Sequence, residues 1–148
     1  MLLTLTSLVL LFSSCEKNPD IVPELTTAEI LIGSWQESSS TLTLYTSSST
    51  KISEEAQPLR KASFYTNGKF DYRYVNEEVL EGTYKLSAEG NTEYINFQTA
   101  EDALTFKIVQ VSPKTLTVSC ETHNVIYYID DEPHVAATSI RTMILSKL

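Results

Sequence analysis

No cluster of basic residues occurs anywhere in the chain. Its 11 Lys and Arg are outnumbered by 19 Asp and Glu, for a formal net charge of −8. Nucleic acid and anionic membrane surfaces are therefore poor partners, because each needs a basic stripe to neutralise phosphates. Catalytic signatures are missing as well. There is no Gly-x-Ser-x-Gly, no His-Glu-x-x-His, no glycine-rich phosphate loop and no carboxylate pair whose separation can be read from spacing. No catalytic residue, cofactor or metal is predicted, and the expected function is non-enzymatic. Cysteine is scarce, with only Cys15 and Cys120 in 148 residues. The one long apolar run, Met1 to Phe12, falls short of the roughly 20 residues a membrane-spanning helix requires.

That run carries no charge, and no Lys or Arg precedes it; it ends at Ser13-Ser14-Cys15 before a polar stretch. A dozen apolar residues suit the hydrophobic region of a signal peptide, and small residues before a cysteine suit a lipoprotein signal peptidase. The alternative is an ordinary N-terminal hydrophobic strand. In its apolar run and cysteine the segment resembles the leader of bacterial lipoproteins. The resemblance implies a signal peptide over residues 1–14, a lipid on Cys15, and a location at the bacterial outer membrane or cell envelope, with membrane contact through the lipid alone. Residues 15–25, with Pro19 and Pro23, are then the lipidated cysteine and a tether, and residues 26–148 the folded domain. About 134 residues remain after cleavage, enough for one core. The lipid takes Cys15 and leaves Cys120 without an intramolecular partner, so stability must come from packing.

Past the tether, Thr26-Thr27-Ala28-Glu29 predicts a capping box and one or two helical turns carrying Ile30 and Leu31. Thereafter the chain alternates. Ala62 to Tyr74 predicts a hairpin around Asn67-Gly68. A two-residue turn would pair Phe64 with Asp71 and mix apolar with charged residues. A three-residue loop, Thr66-Asn67-Gly68 with Gly68 left-handed, pairs Phe64 with Phe70 and Ala62 with Tyr72. The second register is preferred, with Phe64, Phe70, Tyr72 and Tyr74 inward and Tyr65, Lys69, Asp71 and Arg73 outward. Alternation continues at Leu80, Tyr84 and Leu86, at Leu104, Phe106 and Ile108, and at Leu116, Val118 and Cys120. Turns are expected at Glu89-Gly90-Asn91 and Ser112-Pro113-Lys114. The stretches Val125 to Ile129 and Ile140 to Leu145 are apolar on successive residues and leave their facing open.

These runs make about nine strands with no crossover helices. The expected fold is all-β, an antiparallel up-and-down barrel of about 8–9 strands, since closure removes edge strands; a two-sheet β-sandwich is the alternative. Trp35 is at an odd position while Leu42 and Leu44 are at even ones. If all three point inward, a bulge must fall within Ser38-Ser39-Ser40. The Ser/Thr-rich stretch from Thr46 to Ser53, with Glu54-Glu55 after it, predicts an exposed loop.

Gly33-Ser34-Trp35 after a short turn, the Phe64…Gly68-Lys69-Phe70 hairpin and the Gly82-Thr83-Tyr84 strand together resemble the lipocalin-like lipoproteins of Bacteroidetes-type bacteria. The resemblance implies a barrel whose Trp35 closes one end beneath a basic residue of the last strand, with Arg141 the candidate as a cation–π partner. The chain differs from typical lipocalins in lacking a Thr-Asp-Tyr motif and a C-terminal helix.

A small barrel is either filled or holds one small ligand. Trp35, Leu44, Phe64, Phe70, Tyr72, Tyr74, Tyr84 and Phe106 are the candidate lining. The inward tyrosine hydroxyls need partners, either at the barrel mouth or in a pocket suited to an amphipathic guest. A small apolar or amphipathic ligand is the first expectation. The second is a filled barrel contacting an envelope protein, or inhibiting a protease, through Thr46 to Leu59 and Asp130 to Ala137. Asp130-Asp131-Glu132-Pro133-His134 reads as a solvated loop, His123 as a turn residue, and Cys120 as a small buried hydrophobe.

Overall fold

The computed structural model describes residues 25–148. The expected signal segment and Cys15, with the tether up to residue 24, lie outside the described residues. The helix forms where the capping box predicts it, as α1 (Thr27–Leu31). The Thr26 side chain accepts from the Glu29 backbone, and the Glu29 carboxylate accepts from the Thr26 N–H at 2.8 Å. The Thr26 hydroxyl also donates to that carboxylate at 2.8 Å, and the two bonds the carboxylate accepts, the backbone one most of all, hold the Glu29 carboxyl below its ordinary pKa. Ile30 and Leu31 are buried against the barrel.

Nine strands follow: β1 (Gly33–Tyr45), β2 (Lys51–Ala56), β3 (Lys61–Phe64), β4 (Lys69–Arg73), β5 (Val79–Glu89), β6 (Thr92–Gln98), β7 (Ala103–Val111), β8 (Thr115–Ile129) and β9 (Glu132–Lys147). All pairings are antiparallel, in the order β1-β3-β4-β5-β6-β7-β8-β9, and β9 returns to β1. The fold is therefore a closed eight-stranded up-and-down barrel with β2 as an extra strand. The β9–β1 pairing runs from Trp35↔Lys147 to Tyr45↔Thr138 and excludes the two-sheet sandwich.

Where alternation is strict, facing follows it. Phe64 pairs with Phe70 and Ala62 with Tyr72, around a loop in which Gly68 has φ 74°. Tyr65 lies outside, its hydroxyl donating to Asp71 at 2.6 Å. Phe64, Phe70, Phe97 and Phe106 pack edge-on or tilted in the interior, with Ile95, Ile108, Leu116 and Val118 beside them. Phe70 requires Gly82 opposite it, because a Cβ there would stand 2.7 Å from the ring and closer still to the Gln98 carbonyl oxygen. The bulge in β1 falls where the odd-to-even change places it: the pairing skips Ser38, between Glu37↔Leu145 and Ser39↔Ile144. Trp35 and Glu37 are buried before it, Ser40 and Leu44 after it.

Three loop expectations are corrected. Thr46 to Ser53 is not all loop, because Lys51–Ala56 forms β2 against Thr41–Tyr45. Its lysine, serine and two glutamates suit an edge strand with water on one side. Asp130 to Ala137 is not a loop either. Only Asp130 and Asp131 turn the chain, both at positive φ (50° and 65°), as a two-residue hairpin turn demands. His123 is within β8 rather than at a turn, because Asn124 takes a left-handed φ of 55° without losing register. The runs expected as separate strands around it are one.

The barrel is taller on one side. β7 covers β8 only between Leu116 and Ser119, whereas β8 and β9 stay paired to Ile129↔Glu132. The upper parts of β1, β8 and β9, with β2, stand above the other strands as a wall.

Candidate functional site

At the end of the barrel where β1 begins, Trp35 is fully buried and its indole N–H donates to the Leu31 carbonyl at 2.8 Å. The cation over its ring is Lys147, with Nζ 5.2 Å from the centroid and 2.7 Å from the Ile30 carbonyl oxygen. The expected Trp35–Arg141 pair is thus corrected. Register explains it: Trp35 pairs with Lys147, while Arg141 pairs with Leu42, roughly 20 Å farther along the strand at ~3.3 Å per residue. The basic residue does come from the last strand and the inward face, six residues later than expected.

The opposite end is open. A cavity of about 120 Å³ is lined by Phe64, Phe70, Tyr72, Tyr74 and Phe106 of the expected set, and by Leu80, Ile95, Phe97, Leu116, Val118, Met143 and Leu145. That volume is well above the ~10–15 Å³ that one water occupies and close to the ~150 Å³ of an apolar cavity able to take benzene. It is smaller than the roughly 300–1,000 Å³ of drug-sized sites. Three expected lining residues are elsewhere. Trp35 seals the closed end. Tyr84 packs edge-on against Phe64 and donates its hydroxyl to the Tyr65 carbonyl at 3.1 Å; its partial burial raises its pKa. Leu44 is buried on the part of β1 above the rim, beside Ser139 of β9 and Ser53 of β2.

Polar groups gather at the mouth, on β1, β4 and β9 and on the residue that precedes β3. Glu37 of β1 is 1% exposed. One carboxylate oxygen accepts the Arg60 backbone N–H at 3.1 Å, and the other accepts the Tyr72 hydroxyl in a short bond. Arg141 of β9 places Nη2 3.9 Å from Glu37, 3.4 Å from the Tyr72 oxygen and 3.3 Å from the Ser40 hydroxyl. Burial first, then the bond to Glu37, pushes the Tyr72 pKa up to about 12, so the phenol stays protonated and donates. The Arg60 guanidinium lies over Tyr74 at 4.7 Å and Tyr72 at 5.6 Å, and those two rings meet edge-on at 5.6 Å. Among the described residues no buried side-chain N or O lacks a partner.

Glu37 and Arg60 were not in the sequence reading. Glu37 was within reach of it, since it shares the inward face with Trp35 two residues earlier, before the bulge. Nothing in the alternation marks Arg60, which precedes β3. Cys120 is half-buried against the core, and desolvation raises its thiol pKa, opposite to a nucleophile's need. His123 is exposed, 3.7 Å from Glu121. Among the described residues, no three His, Cys, Asp or Glu side chains converge as metal ligands.

The site thus joins an apolar, aromatic floor to a rim carrying two guanidiniums and one buried carboxylate. A comparison with models of known protein families, with curated proteins and with solved structures finds no match to this chain.

Proposed function

We propose that the protein is a lipid-anchored lipoprotein of the bacterial cell envelope whose lipocalin-like barrel binds a small apolar or amphipathic molecule without chemical conversion. The observation carrying this reading is the open cavity of about 120 Å³ with its aromatic lining. Affinity comes from apolar burial, at roughly 25 cal/mol per Å² removed from water, and the polar rim orients the guest. The volume suits a benzene-sized group or one end of a longer molecule. In a lipid-anchored protein the chain would enter the fold beside α1, at the closed end.

Native mass spectrometry of full-length protein purified from its own host tests the binding. A co-purifying small molecule released on denaturation is expected; empty protein that also ignores small apolar probes would overturn it. For the anchor, an alkyne fatty acid should label the protein and fail to label Cys15→Ala. Label retained in that variant refutes a lipid on Cys15.

A specific feature favours interaction with another envelope protein as the second reading. Ile126, Tyr128 and Val135 on the tall hairpin are each more than 60% exposed, and Ile126 pairs directly with Val135, so the two share a face. Such an apolar strip fits a protein contact.

A further inference from the structure

Two of the chain's three arginines, Arg60 and Arg141, line the mouth of the apolar cavity in a protein of net charge −8. They flank β1 from either side, and the carboxylate between them, Glu37, already holds Arg141 at 3.9 Å, the Tyr72 hydroxyl and the Arg60 backbone N–H. Among the described residues four ion pairs form, and none includes Arg60. Its guanidinium is instead held over the faces of Tyr72 and Tyr74. Stacking uses the flat side of the group and leaves its in-plane N–H donors free. Glu37 is not itself part of the cavity lining; the one carboxylate that is, Asp102, is across the mouth in the turn between β6 and β7. On the β1 side, two positive charges therefore face one negative charge, directly above an apolar floor.

Resting on the proposed binding role, and narrowing it, we infer that the guest carries a single negative charge, a carboxylate on a short acyl or aryl body. The body fills the cavity floored by Phe70, Phe97 and Phe106, and the head group takes the free donors of Arg60, with Arg141 contributing its field. A guanidinium fork matches a carboxylate in a bidentate manner, and a monoanion meets the one excess positive charge on the β1 side, away from Asp102. Glu37 then acts as a positioning residue. It fixes the Arg60 backbone and the Tyr72 hydroxyl without touching the ligand.

Titration calorimetry of the full chain with octanoate and with 1-octanol tests this. Octanoate should bind at least tenfold more tightly than octanol at low salt, and raising sodium chloride to 0.5 M should narrow the gap. Arg60→Gln should bring octanoate to the octanol level, and Arg60→Lys should restore part of the difference. Equal binding of acid and alcohol, a gap unmoved by salt, or a gap unchanged in Arg60→Gln would each overturn the anion inference while leaving the apolar binding role standing. Failure of both probes to bind would overturn both. The salt titration uses unmodified protein, so it decides even if Arg60→Gln misfolds.

Discussion

The two ends of the barrel use one device to different effect. At the closed end Lys147 lies over Trp35, and at the open end Arg60 lies over Tyr72 and Tyr74. The lysine is tied to the fold: its ammonium donates to the Ile30 carbonyl at 2.7 Å, and the ring below it is fully buried and bonded to Leu31. The guanidinium keeps donors in reserve above a cavity. A cation on an aromatic face fastens the fold where it also bonds the backbone, and leaves donors available where it does not.

Substitutions that disturb one end only are the sharpest probes of this contrast. The largest effect is expected from Trp35→Ala, which should cost about 3–5 kcal/mol of unfolding free energy in urea denaturation; a loss below 1 kcal/mol would mean that the closed end is not the keystone of stability. The open end should reveal itself in alkali. An unfolded Tyr72 ionises near its ordinary pKa of 10.0 and the folded one near about 12. The folded phenol's pKa is raised, so its contribution is complete below pH 10 and is lost as pH climbs towards 12. At 1.36 kcal/mol per pKa unit that is roughly 2–3 kcal/mol. Stability measured against pH should therefore fall less steeply over this window in Tyr72→Phe than in the parent chain, and identical slopes would refute the assignment. Smallest is Lys147→Met, which keeps a stem over the indole but loses the charge and the bond to Ile30. About 1 kcal/mol is expected, with octanoate binding untouched; altered binding would erase the distinction between the ends.

Much of the barrel could be read from odd and even positions because one face of each strand meets the core and the other meets water. Phe64, Phe70 and Tyr72 sit as alternation places them, and so does the slip at Ser38. Alternation fails where both faces share an environment. The serines and glutamates around Lys51–Ala56 carry no inward set, so β2 gave no signal. The ribbon from Val125 to Val135 has neither face against the barrel core, so its alternation leaves the facing of Val125 to Ile129 open and the stretch from Asp130 reads as loop. The site was half legible for a related reason. Its floor is built of inward aromatics, but Arg60 and Arg141 act through their level along the barrel axis. That level depends on pairing register across the closing seam, which no single strand contains. The same seam moved the cation over Trp35 from Arg141 to Lys147.

The slip in β1 reaches beyond geometry. Because Ser38 is bypassed, Glu37 below it and Ser40 above it both turn into the lumen, so one strand delivers two polar anchors one inward step apart, opposite Leu145 and Met143. Deleting any residue of that serine trio would remove the extra position and leave an unbroken alternation from Trp35 to Leu44, straightening the strand without turning it over. Adding a fourth serine with no second bulge to absorb it would instead act as a frameshift written in space, exchanging lumen for water at every position from Leu42 onward while the reading frame of the gene stayed intact.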